Sequence, residues 1–405
     1  MKIREILNAS VIVAALGYFV DVYDLVLFLI VGKKSLFDIG IVPEQIVEQF
    51  QNLLNVQMIG MLCGGLFFGI LGDKKGRLSV LYGSIITYSI ANIANGFVTN
   101  IETYTVLRFI AGFGLAGELG AGITLVSEVM DKEKRGYGTM LVASIGVTGA
   151  VVAGLVSQIG WQTAYFIGGG LGLSLLLLRI GVFESGMFHK TKSETIIKGN
   201  FFMLFSSKER AMKYINCILI GLPVWFIIGI LVGLSPVFAQ KLGIIGKVED
   251  ANSVMLCYSG LVFGDLLSGW LSNMIRSRKK VFAFFYVLCV ASVALYLNLN
   301  GVDMVIFNIT LFLLGFSVGF WAIFVTVASE QFGTNLRATV TTTVPNFVRG
   351  SLVLLVILFK YFTKTLGIDL ISATALVGTL VFAVSIISLY FLPETFAKDL
   401  DYVEK

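Results

Sequence analysis

Asp21 and Asp24 stand three residues apart in the apolar stretch Gly17-Tyr-Phe-Val-Asp21-Val-Tyr23-Asp24. On a helix that spacing puts both carboxyl groups on one face. Two acids sharing a site away from water cannot both ionise cheaply. Such a pair can take up a proton on one side of a barrier and release it on the other. The bland alternative is a pair of acids held by a cation or by backbone groups for packing. Arg108 and Glu118 lie ten residues apart in a second apolar stretch, interleaved with Gly112, Gly114, Gly117, Gly120 and Gly122. Asp265 and Arg349 lie in two more. A charge inside a membrane-crossing segment is costly and marks a functional position by default. Glu118 therefore reads as a substrate or proton group, with a structural hydrogen bond as the alternative, and most of the glycines read as a packing ridge. Asp265 and Arg349 are expected to pair with each other or both to face a cavity. A cavity arginine can grip a carboxylate through two parallel hydrogen bonds, which favours an anionic or zwitterionic ligand.

The elements that must carry these groups follow from composition. Of 405 residues, 57% are hydrophobic and 14% charged, whereas a soluble domain carries about 25% charged residues. Apolar runs of about 20 residues, enough to cross a bilayer as a helix, recur along the chain. They fall near 8–32, 51–71, 78–98, 103–129, 137–158, 161–183, 212–239, 251–272, 280–299, 303–329, 338–364 and 369–391. Open sheet edges do not survive in lipid, and these runs are too long for barrel strands, so they are expected to be helices. The expectation is an all-α membrane protein with twelve transmembrane helices.

Lysine and arginine orient it. If the N-terminus is cytoplasmic, the outer side carries only Lys33, Lys34, Lys241, Lys247, Lys360 and Lys364, and the inner side carries most of the rest. The positive-inside rule then places both termini in the cytoplasm, in keeping with a bacterial inner membrane. The longest inner connection divides the chain nearly in half. It gives an expected bundle over 1–184, a basic linker over 185–211 and a second bundle over 212–405. The halves echo one another. Gly60, Gly64 and Gly69 before a basic loop match Gly260, Gly264 and Gly269 before another, and Glu128 with Arg135 matches Glu330 with Arg337. Two parallel repeats of six helices are a transporter pattern, because similar bundles can rock about a site between them.

Other function classes fit poorly. Cys63, Cys217, Cys257 and Cys289 sit far apart in apolar runs without metal spacing, and the lone His189 sits in a basic loop. No catalytic nucleophile–base set, metal site, cofactor site or phosphate-binding glycine loop is apparent, so neither an enzyme nor nucleotide-driven transport is expected. The basic start Met1–Arg4 leads into an apolar run of full crossing length that carries two acids, which reads as a first span and not as a cleavable leader. The net charge of +5 reflects topology and calls for no nucleic-acid partner.

The loop Gly69-Ile-Leu-Gly-Asp73-Lys74-Lys-Gly76-Arg77 resembles the loop 2–3 motif of the major facilitator superfamily. The resemblance implies that Gly69 allows close packing and Gly76 a tight turn. It also implies that Asp73, Arg77 and Glu128 form a cytoplasmic charge cluster that holds two bundles together when the site faces outward, with Arg135, Glu330 and Arg337 as the repeat-related gate residues. Asn273 replaces the acid in the second copy. Helix 1 around Asp21 and Asp24, helix 4 from Arg108 to Gly122, and the helix 6 exit from Arg179 to Phe188 resemble the metabolite:H+ symporter branch. Gly186 stands there where that branch has proline. The resemblance implies two pseudo-symmetric six-helix bundles, a monomer, and import of a small metabolite with protons. A proton-driven exporter of drugs or siderophores is the alternative, lowered by the absence of proline from helix 5. Trp321 aligns loosely with Glu118 across the repeat and either faces the cavity or serves as bulk packing; Pro223, Trp225, Pro236, Gly315 and Gly319 mark bends.

Overall fold

The computed structural model describes residues 9–131, 135–178 and 199–404. The helix 6 exit, His189 and the 185–198 part of the expected linker lie outside the described residues. Helices fill the structure, and among the described residues the only β pairing is an isolated bridge between Ile245 and Asp303.

Among the described residues the chain forms twelve spans. In the first half these are α1 (Ala9–Asp38), α2 (Pro43–Lys75), α3 (Arg77–Asn95), α4a (Ile101–Leu115) with α4b (Glu118–Val129), α5 (Arg135–Val156) and α6 (Trp161–Leu178). In the second half, α7 runs through Lys208–Leu219, Leu222–Phe226 and a π-helical stretch Ile227–Val232. It is followed by α8 (Asp250–Ile275), α9 (Arg278–Leu297), α10a (Met304–Ser317) with α10b (Trp321–Gln331), α11 (Arg337–Lys360) and α12 (Leu370–Phe391). Eleven of these spans are long and apolar enough to cross a bilayer by length and composition; α3, with 19 residues, completes the set.

Local sequence sets the ends. Asn100, Ser277, Asp303 and Asp369 each cap the helix that follows, their side-chain oxygens accepting backbone N–H bonds. Gly76 turns the chain from α2 to α3 at φ 104°, a left-handed conformation that favours glycine. α1 and α2 run beyond the expected 32 and 51 to Asp38 and Pro43. Their polar ends wall a vestibule with Lys33, Glu44 and Glu48.

Two spans are interrupted at matching places. α4 breaks at Ala116-Gly117, just before Glu118, and α10 breaks at residues 318–320, just before Trp321. α2 packs against α11, and α5 against α8, so these pairs join the halves. The fit is close. A Cβ on Gly69 of α2 would lie 3.0 Å from the Thr339 Cα of α11.

Candidate functional site

Three layers of polar groups lie along the seam between the halves. On the side opposite the basic loops a vestibule of about 550 Å³ opens between α1, α2, α7, α8 and α11. Two polar links cross it: Lys33 Nζ to Asp250 Oδ2 at 2.8 Å, and Lys360 Nζ to Gln51 Oε1 at 2.6 Å.

Beneath it the space narrows to a cavity of about 20 Å³, room for about one water, lined by Tyr18, Trp225, Tyr258, Trp321 and Arg349 among apolar neighbours. Arg349 Nη2 lies 3.5 Å from Asp21 Oδ2, joining α11 to α1 across the seam. Both groups are buried. The guanidinium also sits 5.8 Å from the Trp321 ring centroid, and the Trp321 indole N–H donates to Tyr18 Oη at 2.8 Å. Glu118 stands within electrostatic reach of Asp21. The site thus offers one cation, an acid as its counter-ion, and flat aromatic walls.

Asp265 neither pairs with Arg349 nor joins it in the cavity lining, a correction to both expected arrangements. Its Oδ1 accepts from the Ala322 amide at 2.9 Å. It caps α10b at the break, where first-turn N–H groups lack helical acceptors and favour a negative charge. Arg349 is instead drawn to Asp21, which projects from the facing helix α1.

Asp24 and Arg108 lie inside the first bundle, away from the cavity lining. Arg108 donates to Asn92 Oδ1 at 3.1 Å and Asn95 Oδ1 at 3.3 Å, and lies 5.0 Å from the Tyr165 ring and 5.2 Å from Phe28. Asp24 faces Arg108, Asn92 and Asp21. It packs where Gly168 of α6 leaves room, since any Cβ there would strike its carboxylate.

The third layer closes the basic-loop side. Asp73 Oδ1 accepts from the Ala338 amide at 3.0 Å and Oδ2 from the Thr339 amide at 2.8 Å, so an acid of the first half caps α11 of the second. Glu128 Oε1 binds Arg77 at 2.7 Å within its own half and Arg337 at 3.0 Å across the seam. Glu330 Oε1 repeats the pattern, with Arg278 at 3.1 Å and Arg135 at 3.6 Å. Arg278 was not among the sequence candidates, although it repeats Arg77 at nearly the same offset that relates Glu128 to Glu330. Asn273, on the Asp73 position of the second half, lies against Gly136 at the start of α5 and bonds its own helix at Gly269 O.

Residues 394–404 lie over this layer. The Leu400 carbonyl accepts from Arg337 at 2.6 Å, and the Lys398 carbonyl from Arg135 at 3.4 Å. Glu394 accepts from Ser277 Oγ and from the Arg278 and Lys279 amides. Partial burial opposes its charge, but these bonds outweigh it and hold the carboxyl below its usual pKa.

A family model described as Major Facilitator Superfamily matches residues 14–351. The chain is 25% identical over 362 residues to the "Niacin transporter NiaP" of Acinetobacter baylyi, covering 80% of each protein. It is 24% identical over 342 residues to the "Cis,cis-muconate transport protein" of the same organism, again covering 80% of each. Among solved structures, the proton:xylose symporter XylE bound to 6-bromo-6-deoxy-D-glucose superposes with a TM-score of 0.79, covering 98% of each chain at 13% identity. That likeness is one of fold.

Proposed function

The chain belongs to the major facilitator superfamily, a family of transporters and not of enzymes, and from that premise we propose a proton-coupled importer of a small anionic or zwitterionic metabolite. The observation that carries this reading is the Asp21–Arg349 pair, 3.5 Å apart, on helices of opposite halves at the wall of the cavity. A buried arginine needs a counter-charge, and here it has one that a proton can remove. A proton arriving through the vestibule neutralises Asp21. Arg349 then takes a carboxylate of the incoming molecule in place of Asp21, and the charge of the occupied site is unchanged. Tyr18, Trp225, Tyr258 and Trp321 supply apolar faces for the rest of the molecule. When the bundles rock and the molecule leaves on the basic-loop side, Arg349 recaptures Asp21 and the proton is expelled. Asp24, beside Arg108, is a second proton-carrying candidate, and Glu118 tunes the site through Asp21.

Gate residues Asp73, Arg77, Glu128, Arg135, Glu330 and Arg337, joined by Arg278, hold the inner side shut while the vestibule is open. The protein is read as a monomer in a bacterial inner membrane with cytoplasmic termini. Both relatives named above carry acids in their names, niacin and cis,cis-muconate, which supports an anionic cargo. The test is uptake by proteoliposomes under an imposed inward proton gradient, with labelled niacin, muconate and other organic acids, and with xylose as a neutral control. Gradient-driven accumulation of an acid, lost in D21N, is expected. Accumulation of xylose alone, or accumulation indifferent to the gradient, would overturn the reading.

A further inference from the structure

We propose that Asn346 is a positioning residue that ties the cavity arginine to the break in helix 4 of the opposite bundle. Asn346 lies one helical turn before Arg349 on α11 and is buried. Its Nδ2 donates to the Ala116 carbonyl at 2.8 Å and to the Thr342 carbonyl at 2.7 Å. Its Oδ1 accepts from Arg349 Nη1 at 3.4 Å. These partners fix which way the amide points: two carbonyls require the NH2 end, and a guanidinium requires the oxygen. One side chain therefore uses both donors and its acceptor at once.

Where those bonds go gives them their meaning. Ala116 sits at the break in α4, where a carbonyl leaves the helical ladder and needs another donor. Glu118 opens α4b two residues later. The donor that satisfies Ala116 comes from the other half of the molecule, so the bond exists only while the halves are together at this level. The matching break in α10 is satisfied differently, by Asp265 from within its own half. Of the two breaks, the α4 one thus has its backbone carbonyl held from across the seam, whereas the α10 backbone is held from within its own half. Gly65 on α2 gives Asn346 its place, because a Cβ there would sit 3.1 Å from the Asn346 Cβ. Pro345 precedes Asn346 inside α11. Proline has no N–H to bond the preceding turn, so the helix can bend at this point.

The consequence is a relay. When Arg349 turns from Asp21 toward a bound carboxylate, its bond to Asn346 Oδ1 changes with it. Asn346 then loosens its hold on Ala116, and the seam is freed next to Glu118. This rests on the alternating-access reading of the site and is independent of what is carried.

The test needs no substrate. The four native cysteines are replaced by serine, and a reporter cysteine is placed at Thr326, a buried position whose hydroxyl bonds Thr139 across the seam. Maleimide labelling of inside-out vesicles then reads opening on the basic-loop side. A net hydrogen bond contributes enough that N346A is expected to label about three- to tenfold faster. N346D, nearly the same shape, keeps a partner for Arg349 but sets a carboxylate against the Ala116 carbonyl, and is expected to label as fast as N346A. In an R349M background neither change should add more than about twofold. Labelling of N346D at the wild-type rate, or effects that multiply fully with R349M, would reduce Asn346 to packing and overturn the proposal. Gradient-driven uptake tests the transport reading separately: normal uptake by the wild type with silent N346D and N346A sinks this inference alone.

Discussion

Asp73 and Thr339 meet across the seam between the two halves: one carboxylate oxygen of Asp73 accepts both the Thr339 amide, at 2.8 Å, and the Thr339 hydroxyl, at 2.6 Å. A helix N-terminus is a ready acceptor of negative charge, and α11 receives that charge from outside its own half. Asp73 also lies 3.5 Å from Arg77, which binds Glu128, which binds Arg337 at the start of the same α11. The closed seam on the basic-loop side is a chain of such links, and the ion pairs that cross it end on α11 or α5.

D73A removes three charge-assisted bonds at once. Bonds to charged groups contribute about 1.5–3 kcal/mol each when a partner is removed, though these three share one carboxylate and will not add. We expect the balance between the closed and open inner seam to shift toward open by about 10- to 100-fold, read by the same cysteine labelling. D73N, which keeps an acceptor for Thr339, should fall between D73A and the wild type.

Glu128 and Glu330 offer a matched pair of tests. E128Q leaves Arg77 and Arg337 facing one another with no acid between them; E330Q does the same to Arg278 and Arg135. Breaking a buried ion pair from one side costs about 3–5 kcal/mol. Both variants should lower the thermal unfolding temperature of the purified protein and open the inner seam. R278Q is expected to behave like R77Q, although only Arg77 lies in a recognisable loop motif. A wild-type unfolding temperature in R278Q would show that the second cluster contributes nothing.

Arg278 has no motif to mark it in the sequence. The count of spans, the basic loops and the repeat were legible, because apolar length and charge asymmetry are local properties. Asn273 in place of the motif's acid breaks the pattern of the second copy, although Arg278 and Glu330 keep the spacing. The breaks in α4 and α10 were harder to read, with Gly319 marking a bend in α10 and nothing singling out Ala116-Gly117 as an interruption. Hydrophobic composition is continuous through Ala116-Gly117 and through residues 318–320, and only glycines hint at an interruption. Arg349's choice of Asp21 over Asp265 depends on which helix faces α11, which spacing along the chain does not carry. The Leu400 carbonyl that receives Arg337 is a backbone group and has no residue-type signature at all.

Glu394 gives a pH test outside the membrane. It caps α9 through the Arg278 and Lys279 amides, and losing a cap costs about 0.5–2 kcal/mol. Its folded pKa is depressed. The stability it adds is therefore fully present above the unfolded value, about 4.3, and is lost as pH falls through the lower folded value. Unfolding temperatures of the wild type and E394Q should differ at pH 7 and converge only under strongly acidic conditions. A gap that persists unchanged at pH 3 would mean that the charge is not what stabilises the cap.

Asp21 and Arg349 should separate transport from coupling. If Asp21 is the group a proton must neutralise, D21N is fixed in the state that already releases Arg349. Such a protein should still exchange internal for external substrate, because the cavity and its arginine are intact, yet should fail to accumulate substrate against a gradient. R349K keeps the charge but loses the two-pronged grip on a carboxylate, so its KM should rise by about tenfold or more while the gradient dependence survives. R349A leaves Asp21 without its cation and removes the grip, so exchange and accumulation should both be lost. Counterflow and gradient-driven uptake in one proteoliposome preparation read the two properties side by side. Loss of exchange in D21N together with retained exchange in R349A would reverse the assigned roles, placing the substrate on the acid and the coupling elsewhere.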